Sequence, residues 1–132
     1  MTITNFTKNW FRRADDDLNA AEAILKNLKL SSNLACFHSQ QVAEKYLKGF
    51  IAHNDFHVRK IHDLLSLLEE CVKIDFSFGI LQDDMLFLSQ FYIETRYADD
   101  YFEFSRDEAQ KAFDAALHIK EFVLQKVSRE EK

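Results

Sequence analysis

Between residues 36 and 62 the chain places four of its five histidines: His38, His53, His57 and His62. The same window holds four cations (Lys45, Lys48, Arg59 and Lys60) against two carboxylates (Glu44 and Asp55), so it is positive by two in a chain of formal net charge −5. A local positive patch suits a phosphate-bearing ligand. Lysine supplies a compact charge, arginine a planar fork of donors, and histidine a donor or proton carrier near neutral pH. At helical pitch His38, Gln41, Lys45 and Lys48 fall within about a third of the circumference, with Glu44 at the edge of that arc. Val42, Ala43, Tyr46, Leu47 and Phe50 take the remainder, so the same stripe also reads as the wet side of an ordinary core helix. A second cluster is YIETRYADDYFEF, where Arg96 stands among Tyr92, Tyr97 and Tyr101. Arginine beside aromatic faces can hold a base or nucleotide; the alternative is aromatic packing at a helix end, where arginine favours the dipole.

Other chemistries are absent. With 2 glycines and no proline the chain has no Gly-rich phosphate loop, and it has no HExxH, CxxC or GxSxG. His53 and His57 have the i, i+4 spacing of a helical zinc pair, but they stand where a helix should end, without a third ligand, and read as loop histidines. Asp15-Asp16-Asp17 point in different directions on a helix and read as a solvated acidic run favoured by the dipole, not as a cation site. No metal and no cofactor is implied. The net charge argues against a general nucleic-acid coat. Cys36 and Cys71 read as reduced, buried thiols of a cytoplasmic protein. No apolar run is long enough for a signal peptide or a membrane span.

The elements that must position these residues are helices, because so little Gly and Pro leaves few tight turns. Periodicity predicts five. The first spans about Thr4 to Leu28, with Phe6, Trp10, Ala14, Ala21, Leu25 and Leu28 as its stripe. The second spans Ser32 to His53, capped by Ser31 or Ser32. The third starts near Ile61 and carries Ile61, Leu64, Leu65, Leu68 and Val72. The fourth runs from about Gly79 to Arg96, with Leu81, Met85, Leu88 and Tyr92. The fifth opens on the capping box Ser105-Arg106-Asp107-Glu108, followed by Ala109, Ala112, Phe113, Ala116, Val123 and Val127. Short connections make neighbours antiparallel, so the expected fold is all-α, an up-and-down antiparallel bundle of four to five helices in one domain over 1–132, with 128–132 a frayed tail. On that scheme Arg59 and His62 lie near the end of the second helix that carries Lys48. Phe87, Phe91 and Tyr92 cover more than one face of the fourth helix, which reads either as burial on several sides or, the reading favoured, as a dimer interface.

Four segments in this order, WFRRADDDLNAAEAIL, CFHSQQVAEKYLKGF, IHDLLSLLEEC and FYIETRYADD, resemble the HEPN (higher eukaryote and prokaryote nucleotide-binding) domain family. The matching residues are Asp17-Leu18, Gln40-Gln41, Glu44-Lys45, Leu47-Lys48, His62-Asp63-Leu64 and Arg96-Tyr97, and the resemblance covers essentially the whole chain. It implies a helical bundle, commonly a homodimer, that binds nucleotide or a partner and is often encoded beside a minimal nucleotidyltransferase in prokaryotic toxin–antitoxin-like pairs. On that reading His38, Gln41, Lys45, Lys48, His62, Arg96 and Tyr97 line the ligand site. Many members are metal-independent ribonucleases with an Arg followed after four to six residues by a His. No Arg here has a His at that spacing. Arg59 and His62 are too close together, Arg96 is followed by Tyr101 and Phe102 at those positions, and Ala98 stands where many relatives have proline. A non-standard ribonuclease is the alternative, with His62 or His38 as acid–base and Arg59, Lys48 or Arg96 stabilising charge on the phosphorus centre. A bundle whose polar face is only solvated is the third.

Overall fold

The computed structural model describes residues 2–92 and 102–130, with side chains to Ser128. Within them lie five α-helices, α1 (Asn5–Leu25), α2 (Ser32–His53), α3 (Leu64–Ile74), α4 (Gln82–Ser89) and α5 (Arg106–Glu130), plus a 3-10 helix over Phe76–Leu81, and no strand. The all-helical architecture is as expected. Arg96 and Tyr97 lie outside the described residues, as does the last part of the expected fourth helix.

Four of these helices have side chains at their starts that satisfy orphan amides. Thr4 Oγ1 accepts from Thr7 N–H at 3.2 Å, Ser31 Oγ from Asn33 N–H at 3.1 Å, and Asp63 Oδ1 from Leu65 N–H at 3.1 Å. The capping box before α5 is formed reciprocally: Glu108 N–H donates to Ser105 Oγ at 3.0 Å and Ser105 N–H to Glu108 Oε1 at 3.3 Å. α2 ends in a Schellman motif. Phe56 N–H reaches back to Ile51 O at 3.2 Å and Asp55 N–H to Ala52 O at 3.0 Å. Asp55 takes the left-handed conformation (φ 63°) that this motif requires, one that aspartate tolerates better than most residues.

α2 is the hub: α1, α3, α4 and α5 all pack on it. Its fully buried Tyr46, Leu47, Phe50 and Ile51 join one contiguous core with Leu64, Leu67, Phe78, Met85, Phe91 and Ile119, each large side chain contributing about 1.5–3 kcal/mol. α1 runs antiparallel to α2, since Asp17 meets His38 and Lys45 while Trp10 lies over Lys48. The helices approach closely at Gly49, where a Cβ would fall inside the Phe11 ring's contact distance, 2.8 Å from Cδ1 and closer still to Cε1.

Several boundaries and faces differ from those predicted. α1 ends at Leu25, leaving Leu28 86% exposed, and its core face is Phe11, Ala14, Leu18, Ala21 and Ile24, with Phe6 outside. The face is turned because Asp17 and Thr7 are buried with it, and a stripe drawn through apolar residues alone misses polar residues that pack inward. α3 starts three residues after Ile61, and Leu67 and Cys71, not Leu65 and Val72, complete its buried face. The predicted fourth helix opens as a 3-10 turn at Phe76, its first residues tied by Asp75, whose carboxylate accepts from Ser77 N–H at 3.0 Å and Oγ at 2.6 Å. Phe91 is spent internally, ring against Phe87 and Phe104 at 5.2 and 4.8 Å.

The α2–α3 pair departs from simple alternation. Residues 54–63 carry the chain back along α2, so that His62 meets Glu44 while Cys71 Sγ meets Leu47 O at 3.7 Å. α3 therefore runs in the same sense as α2. α5 is fastened at its start: Asn33 Nδ2 donates to Phe102 O at 2.6 Å, Phe104 N–H donates to Asn33 Oδ1 at 2.8 Å, and Arg106 Nη2 donates to Asn27 O and Leu30 O at 2.7 Å. It continues through Glu130, into the stretch that composition assigns to a tail.

Candidate functional site

The polar stripe of α2 divides between two carboxylates on different elements. Asp17 of α1 takes the first half. His38 Nδ1 lies 2.8 Å from its Oδ1, and Lys45 Nζ donates to its Oδ2. Burial opposes ionisation of this carboxyl, but the hydrogen bonds and charges of His38 and Lys45 outweigh it and hold its pKa below the ordinary range. Asp15 has a role of its own: Tyr46 OH donates to it at 2.5 Å and Lys120 Nζ lies 3.0 Å away. Burial, then that bond to a carboxylate, pushes the Tyr46 phenol far up, so it remains protonated. The acidic run is thus not a solvated patch. Asp17 and Asp15 face neighbouring helices, and Asp16 alone of the three is exposed.

Glu44 takes the second half. Its side chain is 3% exposed and that of Lys48 6%, and Lys48 Nζ donates to Glu44 Oε2 at 3.0 Å. His62, half-exposed, places Nδ1 3.1 Å from both Glu44 oxygens. The carboxylate is the acceptor, so Nδ1 carries the proton and, among the described residues, Nε2 is the ring's open nitrogen. Gln40 Nε2 donates to His62 O at 3.5 Å and Gln41 Nε2 to Gln40 Oε1 at 2.6 Å, which ties the return segment to α2. The imidazole lies nearly parallel to the Tyr92 ring, centroids 5.0 Å apart. His62 and Tyr92, with Ile61, Asp63, Leu64 and Ser89, line a surface pocket of about 420 Å3. Lys48 lies behind it, its Nζ 5.5 Å from the Trp10 ring centroid.

The structure therefore brings Lys48 and His62 together through Glu44, and His38 and Lys45 together through Asp17, with Gln41 between them on the stripe. Arg59 does not join either group; its Nη1 lies 3.8 Å from Glu70 Oε2. The charge excess counted along residues 36–62 is compensated in space, because Asp17 and Glu70 come from α1 and α3. Sequence reasoning left Glu44 at the edge of the stripe, although its i, i+4 spacing to Lys48 is a legible signal. It missed Ser89, which carries no motif, and a second cup of about 410 Å3 on α1 lined by Phe6, Asn9, Trp10, Arg12 and Arg13. It also missed the His118–Asp84 pair at 2.7 Å, which joins α5 to α4. Among the described residues no three His, Cys, Asp or Glu side chains converge as a metal site, and no helix is long and apolar enough to cross a membrane.

Comparison with known proteins gives a consistent result. A family model described as the HEPN domain matches residues 7–127. The structure resembles that of an archaeal HEPN homologue, with TM-score 0.74 and 25% identity over 92% of this chain and 97% of the other. It also resembles a protein from Thermus thermophilus, with TM-score 0.77 and 32% identity over 93% of this chain and 99% of the other. No curated protein matches.

Proposed function

The chain belongs to the HEPN domain family, and from that premise we propose that it is a nucleotide-binding or partner-binding module working with a minimal nucleotidyltransferase in a prokaryotic, toxin–antitoxin-like pair. The observation that carries the nucleotide reading is the pocket at the junction of α2, α3 and the end of α4. There the stacked His62 and Tyr92 rings offer a face to a base. When the ring is protonated, His62 Nε2 can donate to a phosphate oxygen, and the buried Glu44 fixes the ring that presents it. Partner binding, including a homodimer, is supported by apolar side chains left in water on the 3-10 helix and α4: Phe76 at 88%, Ile80 at 71% and Leu86 at 50% exposure.

The ribonuclease reading has one observation in its favour, since a histidine held by a buried carboxylate is the arrangement of a general base. Of its three candidate cationic helpers, Arg59 is turned to Glu70 and Lys48 is closed against Glu44, while Arg96 lies outside the described residues.

Isothermal titration with ATP, GTP and short RNA tests the proposal. Native protein is expected to bind at least one of them, and His62→Ala and Tyr92→Leu to weaken that binding by about tenfold or more, on the scale of one lost stacking or charged contact. His62→Ala leaves Glu44 still paired with Lys48, so the variant should fold. No binding by the native protein to any of the three, and none to a neighbouring nucleotidyltransferase, would overturn the reading. RNA cleavage without metal would favour the ribonuclease.

A further inference from the structure

The charge of the His62 pocket is set by a residue that does not line it. Glu44 is buried and shared by two basic side chains, Lys48 at 3.0 Å and His62 at 3.1 Å. Among the described residues, the charged and titratable groups around the imidazole are Glu44 and Lys48 from α2, Asp63 at the start of α3 and the Tyr92 phenol beyond α4. On the α1 side Lys48 meets the Trp10 ring, which itself carries Arg13 at 5.0 Å. Asp63 is a pocket wall and its carboxylate is held in place by Leu65 N–H and Ser66 Oγ.

Among these described groups, with His62 neutral, Glu44 cancels Lys48 and Asp63 leaves a net negative charge. With His62 protonated, the same pocket loses its net negative charge and gains a donor at Nε2. Imidazole is the side chain that makes this change between about pH 5 and 8. We propose that Glu44 is the positioning residue of the pocket and makes capture of a phosphate-bearing ligand proton-coupled: His62 takes up a proton as the anion arrives. Glu44 orients the ring, supplies the counter-charge for its protonated form, and keeps Lys48 from holding the anion alone. The inference rests on the nucleotide-binding reading.

The probe is the dinucleoside monophosphate ApA, whose single phosphodiester charge is constant over this range. Native affinity is expected to weaken about tenfold between about pH 6 and pH 8, with about half a proton taken up per ligand on average over that range, measured in buffers of differing ionisation heat. His62→Gln should bind weakly with a flat profile. Glu44→Gln keeps the volume, removes the counter-charge of Lys48, and should bind ApA more tightly than native at about pH 8 with a shallower slope. A residue that only supports the fold would not tighten binding when altered. Nitrogen-15 spectra of the native His62 ring should show the proton on Nδ1 at high pH.

ApA, ATP, GTP and short RNA all failing to bind at any pH would overturn the nucleotide reading and the inference together. Binding that depends on His62 but is equal at both pH values would overturn the inference alone, as would a native slope retained in Glu44→Gln. If Glu44→Gln does not fold, the native slope and the ring tautomer decide, and an Nε2–H tautomer contradicts the proposal.

Discussion

Asp17 receives two basic side chains from one face of α2, and its ionisation is tied to both. Its folded pKa lies below the ordinary carboxylate value. The stabilisation it contributes is therefore complete above the ordinary range and is lost as pH falls toward the depressed value. Asp17→Asn should cost roughly 2 kcal/mol at neutral pH, as charged hydrogen bonds of this kind do. Its denaturant midpoint should also fall less steeply than that of native protein below about pH 4. Equal acid slopes would place the acid sensitivity elsewhere. Residue by residue, the stripe His38, Gln41, Lys45, Lys48 was legible in the sequence, but its partners were not. Asp17 is 21 and 28 residues from His38 and Lys45, and Glu44 is 18 from His62. A window of local charge has no access to contacts at that separation, which is why it reports an excess where the fold has made pairs.

At the scale of elements, α2 can lie against α1 only because residue 49 has no side chain. Alanine favours a helix over glycine by about 1 kcal/mol, yet a Cβ here would overlap the Phe11 ring, standing 2.8 Å from Cδ1, and that ring is stacked on Tyr46 at 5.1 Å. Gly49→Ala should therefore lower stability by about 1–3 kcal/mol by overpacking, and its effect should be less than additive with Phe11→Ala. A stabilised Gly49→Ala would mean that the interface yields more easily than its packing indicates. Four of the five helices could be read from period and caps, and the capping box before α5 from its four residues alone. The sense of α3 could not. Nothing in residues 54–63 announces that they retrace α2; the Schellman turn at Asp55 and the bonds from Gln40 and Glu44 to His62 decide it, and they exist only once the chain has folded.

For the whole molecule, a chain of net charge −5 can take up an anion only where its fold gathers cations and donors. Candidates on the described surface are the His62–Tyr92 pocket, which gains a cation when its imidazole is protonated, and the α1 cup with Arg12 and Arg13 beside Trp10. We place the ligand in the first, because there a buried ion pair holds an imidazole in register with an aromatic ring. Backbone and side-chain NMR shifts recorded as ATP is added to the native protein test this most directly. The predicted result is a contiguous set of shifts at Glu44, Lys48, His62, Ser89 and Tyr92, saturating together. Shifts confined to Phe6, Trp10, Arg12 and Arg13, or none at all, would contradict it.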